Sequence, residues 1–265
     1  MILLATTLPS PSQNLAFDEA LVEVADRSSG SDLGIIFPEV LRLWEMPSTC
    51  VVLGRSSKWT EEVNAAACRR DEVPVLRRAS GGASIVAGAG CLMYSVLISY
   101  ESRPAWRMID VAHVEVMGRI RNAVQQTMNT YELHDSIDFK GTCDLTINNR
   151  KFSGNALRCK RNWMLYHGTI VYSMPIEWIN TYLHQPSRQP EYRENRNHNL
   201  FVTRLLATNT TIPPKQFRAS LEENLGAVWS AEPDPNQTIW KKEVDEETKR
   251  LMQSKYSDPN WHTHR

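Results

Sequence analysis

Asp144-Leu145-Thr146-Ile147-Asn148-Asn149-Arg150-Lys151-Phe152 reads as a β-hairpin. Two short runs flank Asn148-Asn149, and asparagine is one of the few residues that tolerates the positive φ of a tight two-residue turn. A hairpin is an antiparallel unit, so the sheet that contains it is not the all-parallel sheet of a doubly wound fold.

Working outward, residues 14–24 place Leu15, Leu21 and Val22 among Ala16, Asp18, Glu19 and Ala20, which predicts an amphipathic helix with Ser12 as its N-cap. Residues 40–53 are rich in β-branched and aromatic side chains around Pro47-Ser48 and predict two strands meeting at a turn. A short helix is expected over 60–70, strands over 73–78 and 91–100, and the longest helix over 106–128. Beyond the hairpin come a strand over 167–172, a helix starting at Pro175 and an irregular polar stretch over 186–199. Two more helices are expected over 214–225 and 240–252, joined by a Pro/Asp/Asn run over 232–237. Strands interleaved irregularly with helices give a mixed α+β domain over 1–212, with a small helical extension over 213–265.

Lysine plus arginine number 30 and aspartate plus glutamate 30, so no global field draws the 265-residue chain toward nucleic acid or anionic lipid. Recognition of an anion has to be local. No window approaches a membrane-spanning apolar run and no basic leader precedes Met1 to Thr7, so a soluble protein is expected. The five cysteines, Cys50, Cys68, Cys91, Cys143 and Cys159, form neither a C-x-x-C pair nor a cluster with histidine at zinc-ligand spacing. A reducing cytoplasm and no structural metal follow.

Four constellations could carry chemistry. Arg77-Arg78-Ala79-Ser80-Gly81-Gly82 ends a strand in two guanidinium groups and then two glycines, whose backbone N–H groups can approach an anion closely. Lys151, on the hairpin and followed by small residues, can reach a carbonyl or phosphate oxygen at little entropic cost. A hairpin lysine is ordinarily a solvated residue, and its pairing with a glycine-rich anion loop is what raises it. His167, in Tyr166-His167-Gly168-Thr169, opens a strand where a structural role outweighs an acid–base one. Tyr192-Arg193-x-x-Arg196-x-His198 is either a loop that closes on an acidic ligand or carrier, or a solvated polar loop. Cys143 beside Lys151 is a nucleophile if its thiolate is favoured and a small buried hydrophobe otherwise.

Taken in order, R-R-A-S-G-G, C-L-M-Y-S-V-L-I, D-L-T-I-N-N-R-K-F-S-G-N-A-L-R and Y-H-G-T-I-V-Y resemble the lipoate-protein ligase A and lipoyl/octanoyl transferase family. Residues 14–21, N-L-A-F-D-E-A-L, are similar to that family's opening helix, and the resemblance covers about residues 10–205. It implies the biotin/lipoyl protein ligase catalytic-domain fold, a mixed sheet with helices related to class II aminoacyl-tRNA synthetases. It also implies an enzyme that activates lipoate or octanoate with ATP and Mg2+ to an acyl adenylate, which a carrier lysine then attacks. Carried over by position, Arg78, Ser80, Gly81, Gly82, Ala83, Ser84, Ile85 and Val86 would hold the nucleotide phosphate and adenylate. Lys151 would be catalytic, bound to acyl carbonyl and phosphate; Asp144 would support the nucleotide or its metal, and His167 would sit at the edge. The implied partners are lipoyl-domain carriers, the 2-oxoacid dehydrogenase E2 or the glycine-cleavage H protein, and a separate accessory chain. Two departures stand out: Ala83 replaces a third glycine, and Phe139 occupies the place of the nucleophilic cysteine of octanoyl transferases. The missing thiol leaves a ligase preferred to a transferase acting from a carrier-bound acyl donor, and the altered loop motivates the other alternative, a non-catalytic relative that only binds acyl groups or carriers.

Overall fold

The structure is a computed structural model that describes residues 1–29, 36–186, 188–234 and 238–263. Residue 187 of the polar stretch and 235–237 of the Pro/Asp/Asn run lie outside the described residues. The strands are β1 (Ile2–Leu4), β2 (Val40–Glu45), β3 (Cys50–Leu53), β4 (Val75–Arg77), β5 (Ile85–Ala87), β6 (Cys91–Ser99), β7 (Asp138–Lys140), β8 (Asp144–Ile147), β9 (Arg150–Cys159) and β10 (Trp163–Val171). Seven form a large sheet in the order β1-β2-β6-β10-β9-β8-β7, in which only β1 and β2 run parallel. The other three form a small sheet, β4-β3-β5, parallel on one side and antiparallel on the other. The mixed α+β expectation holds.

β6 shows how the large sheet organises the interior. All of its residues are buried, so apolar side chains fill both faces rather than alternating, interrupted only by Ser95 and Ser99. Leu92, Tyr94, Val96 and Ile98 face one core with the helices Ile109–Thr130 and Pro214–Trp229. Cys91, Met93 and Leu97 face the other, shared with the first helix α1 (Pro11–Ser28), the small sheet and the helix Thr238–Leu251.

Four expectations are corrected. The strands predicted over 40–53 exist but are not partners: β2 joins β6 in the large sheet and β3 joins the small one. The exposed Pro47-Ser48 is a crossing between sheets, and burial of both strands except at Glu45 leaves no alternation from which the partner could be read. The N-cap of α1 is Ser10, not Ser12: its side chain accepts from the Gln13 N–H, Gln13 returns the bond, and Pro11 occupies the first helical position. Nor is α1 one-sided, because Asn14, Asp18 and Glu19 are buried with the apolar residues. The helix expected over 60–70 is two, Trp59–Glu62 and Ala65–Arg70, the second capped by Asn64.

The hairpin forms as read. Asn148 and Asn149 have φ of 50° and 58°, and Ile147 pairs with Arg150.

Candidate functional site

Lys151 enters β9 opposite Thr146, just past a register shift between Leu145 and Thr146, and Asp144 lies opposite Gly154. The Lys151 Nζ sits 2.7 Å from Asp144 Oδ1. The phenol of Tyr192 donates to the second oxygen, Asp144 Oδ2, at 2.7 Å. Burial, with the Asp144 charge adding to it, pushes the Tyr192 phenol well up, so it remains a donor. A Cβ at Gly154, on the same strand, would lie 2.6 Å from both Cε and Nζ of Lys151, so glycine leaves the room through which the ammonium reaches Asp144 on β8.

The facing wall is the loop after β4. Arg78 is buried and turns back onto it, donating from Nη2 to the Gly81 and Ala83 carbonyls at 2.5 and 3.0 Å and from Nε to Ser80 Oγ at 3.0 Å. Burial lowers its pKa to about 10, with the Glu62 charge opposing. Ser80 Oγ lies 2.6 Å from His167 Nε2, the Arg55 N–H donates to the Ser80 carbonyl at 2.8 Å, and Arg158 Nη1 donates to the Ala79 carbonyl at 3.1 Å. Ser84 donates from N and Oγ to Glu62 Oε2 at 3.3 and 2.5 Å. Gly82 takes φ of 89°, the left-handed region that the loop's reversal demands. His167 is pushed down to about 4, chiefly by burial and further by Arg78, with Asp18 opposing, so its imidazole is neutral at physiological pH.

Behind His167 stands a buried polar network. Asp18 accepts from Arg42 Nη1 and from Ser95 Oγ, each at 2.6 Å. Arg42 also donates to the Asn14 side chain at 2.5 Å and lies over the rings of Phe17 and Trp44.

Between the walls lies a two-lobed cavity open to solvent. The lobes share Ala83, Ser84, Ile85, Lys151, Gly154 and Thr169, so Lys151 stands at their junction. One runs under Leu15, Trp44, Val52 and Met93 to Arg78 and His167. The other runs past Val86, Phe152, Ile179 and Phe201 to Glu62 and Arg193.

Of the residues singled out in the sequence, Arg78, Ala83, Ser84, Ile85, Val86, Lys151 and His167 line this cavity. Ser80, Gly81 and Gly82 shape the loop through the bonds just described, and Asp144 backs Lys151. The polar loop is only partly solvated: Arg193 and His198 are buried, and Tyr192 reaches the site through Asp144. Cys143 donates from its thiol to the Asn155 carbonyl at 3.1 Å, and burial followed by the Asp144 charge raises its pKa, with Lys151 opposing. It is held as a thiol. Asn155 was not anticipated: its amide donates to the Cys143 carbonyl at 2.8 Å and its oxygen accepts from the Tyr94 phenol. Glu62 and Asp18 were not anticipated as parts of the site either, since both meet it only through tertiary contacts. Among the described residues no group of three or more His, Cys, Asp and Glu is placed to hold a metal ion.

Comparison with known proteins gives this geometry a setting. A model of the lipoyl protein ligase A/B catalytic domain matches residues 10–226. A putative lipoate-protein ligase A of Schizosaccharomyces pombe is 29% identical over 140 residues, covering 53% of this chain and 35% of that protein. The octanoyltransferase LipM of Oceanobacillus iheyensis is 23% identical over 264 residues, covering 93% and 91%. The chain thus spans less than half of the length of several ligases it matches, 35%, 40% and 48% in three cases. Among solved structures, the bi-partite lipoate protein ligase of Thermoplasma acidophilum superposes with a TM-score of 0.74 at 18% identity, over 99% of this chain and 95% of that one. A lipoate-protein ligase A bound with ATP gives 0.71 at 18%, over 99% and 98%. The likeness to these structures establishes the fold, and the family model, matched over most of the length, establishes that this chain belongs to the lipoyl protein ligase A/B catalytic-domain family.

Proposed function

We propose that the chain is a lipoate-protein ligase: it activates lipoate, or octanoate, with ATP to an acyl adenylate and passes the acyl group to a lysine of a lipoyl-domain carrier. The observation that carries this reading is Lys151 at the junction of two lobes, with its ammonium supported by Asp144. A mixed anhydride has two unlike halves and one reacting centre, which suits two lobes meeting at a cation. The lobe under Leu15, Trp44 and Met93 would take the acyl chain, and the lobe toward Glu62 and Arg193 the nucleoside. The loop from Gly82 to Val86 would pass between them along the phosphate.

In the first step the acyl carboxylate attacks the α-phosphorus and pyrophosphate leaves. In the second the carrier amine attacks the acyl carbonyl and AMP leaves. Lys151 would neutralise the phosphate oxygens in the first and the developing oxyanion in the second. His167, neutral, and the Asn155 amide would add no charge of their own to the acyl lobe, whose cations would be Arg78 and Lys151. Magnesium would accompany the nucleotide, held chiefly by its phosphates, and Asp144 would be the nearby carboxylate, its oxygens shared with Lys151 and Tyr192. When bound, it would neutralise charge on the phosphates.

The near full-length match to an octanoyltransferase motivates the second reading, transfer from an acyl carrier through a cysteine thioester. Phe139 stands where that family's thiol is expected, and Cys143 is a buried thiol donating to a backbone carbonyl, which argues for the ligase. A non-catalytic acyl-binding or carrier-binding relative is the third. The carrier would be an E2 or H-protein lipoyl domain; the Thermoplasma structure is described with its E2 lipoyl domain and as bi-partite, so a separate accessory chain belongs to the proposal. Mass spectrometry of a lipoyl-domain acceptor incubated with the protein, lipoate, ATP and Mg2+, against octanoyl carrier protein as donor, decides. An ATP-dependent mass gain from free lipoate is expected; a gain only from the octanoyl carrier would replace the ligase by the transferase, and no gain from either would leave binding alone or a missing accessory chain.

A further inference from the structure

Arg77 sits next to the cavity loop yet touches neither lobe, and it is fully buried. In β4 the Arg78 N–H points inward, to the Leu53 carbonyl, so the N–H and C=O of Arg77 point to the outer edge of the small sheet. Among the described residues no strand covers that edge. Instead the Arg77 N–H donates to His262 Nδ1 at 2.9 Å, and the Trp261 indole donates to the Arg77 carbonyl at 2.9 Å. Two side chains from the last described helix, Pro259–Thr263, thus make the rung a neighbouring strand would make.

The guanidinium of Arg77 extends the tie in both directions. It donates to the Trp261 and His262 carbonyls, each at 3.1 Å, and to the Gly54 and Ser57 carbonyls at 2.8 and 2.7 Å. Gly54 lies directly against the loop: a Cβ there would collide with the Gly82 carbonyl oxygen. The next residue, Arg55, donates to Ser80. The same late segment is seated on α1, since Tyr256 and Lys255 both donate to Glu19 at 2.8 Å. His262 completes the knot by its other nitrogen, 3.0 Å from the Tyr256 carbonyl, so Nδ1 accepts and Nε2–H donates.

We infer that Trp261 and His262 are positioning residues of the site: through Arg77 and Gly54 they fix the height of the Ser80–Ser84 loop over Lys151. This rests on the ligase reading only for its effect on rate; its effect on the loop stands apart from any activity. A displaced loop carries its backbone donors away from the phosphate, and misplacement on the ångström scale is costly in rate.

The test uses the full chain with His262→Ala, His262→Asn and Trp261→Phe. Asparagine retains an acceptor near the position of Nδ1, and phenylalanine removes only the indole donor with modest volume. Hydrogen exchange of the amides of residues 80–84 should quicken about tenfold in His262→Ala, return toward wild type in His262→Asn, and quicken less in Trp261→Phe. Lipoate-dependent pyrophosphate release should fall on the order of tenfold in the first variant, with the same rescue. Unchanged exchange over 80–84 in both His262→Ala and Trp261→Phe overturns the inference. Should His262→Ala not fold, Trp261→Phe and His262→Asn decide by the same readout. If the wild type itself releases no pyrophosphate, the ligase reading falls while the exchange result still judges the tie.

Discussion

The two walls of the cavity are held in opposite ways. The Lys151 wall is local: Ile147 faces Arg150, Thr146 faces Lys151, and Gly154 lies opposite Asp144 within one antiparallel ladder. The loop wall is remote: Ala79 is held by Arg158, Ser80 by His167, Ser84 by Glu62, and the Asp18–Arg42 pair stands behind His167. A reactive cation on a ladder keeps its place when distant parts move, whereas a loop riveted from several elements inherits every disturbance among them. Stability and catalysis should therefore separate between the walls.

The largest effect is expected behind the loop. Asp18→Ala leaves the Arg42 guanidinium buried without its carboxylate and should cost about 3–5 kcal/mol in urea unfolding. A loss below about 1 kcal/mol would show that the remote framework does not bear on the fold. On the local wall, Lys151→Ala should slow acyl transfer on the order of a hundredfold in single-turnover assays while leaving the thermal midpoint nearly unchanged, since the side chain is partly exposed. Turnover near wild type would remove Lys151 from the chemistry. Gly154→Ala asks how finely the ladder places that cation: the new methyl displaces the end of the lysine, and a rate loss of about tenfold is expected with the fold kept. An unaltered rate would mean that the ammonium has slack. The smallest change is expected from Cys143→Ser, where activity should stay within about twofold because the thiol is packed and protonated. Abolished activity there would shift the weight to the transferase.

The same contrast governs what could be read in advance. Asn148-Asn149 announced the hairpin because a two-residue turn has few chemical solutions, and Lys151 came with it. The small sheet was only partly legible: its strands are three or four residues long and β3 is fully buried, so nothing in the pattern distinguished its partners from those of β2. Asp18 and Glu19 read as the wet side of a helix because charged residues usually are, and only the arrival of Arg42 from β2 and Lys255 from far along the chain makes their burial tolerable. Glu62 and Asn155 carry no local mark at all, since each becomes part of the site through a partner distant in sequence, Ser84 or Tyr94. Tyr192 and Asp144 were both noticed in the sequence, but not that one would bond to the other.

The seat of Glu19 has a consequence for how the protein is made. Its bonds to Lys255 and Tyr256 span 236 and 237 positions, and until those residues emerge from the ribosome its only described ion-pair partner is Arg158, at 3.6 Å and shared with Glu23. The first helix can therefore form early but dock fully only after residues 255 and 256 have been made, so that until then a nascent chain exposes the apolar faces of α1 and the large sheet to whatever chaperone or neighbour reaches them first.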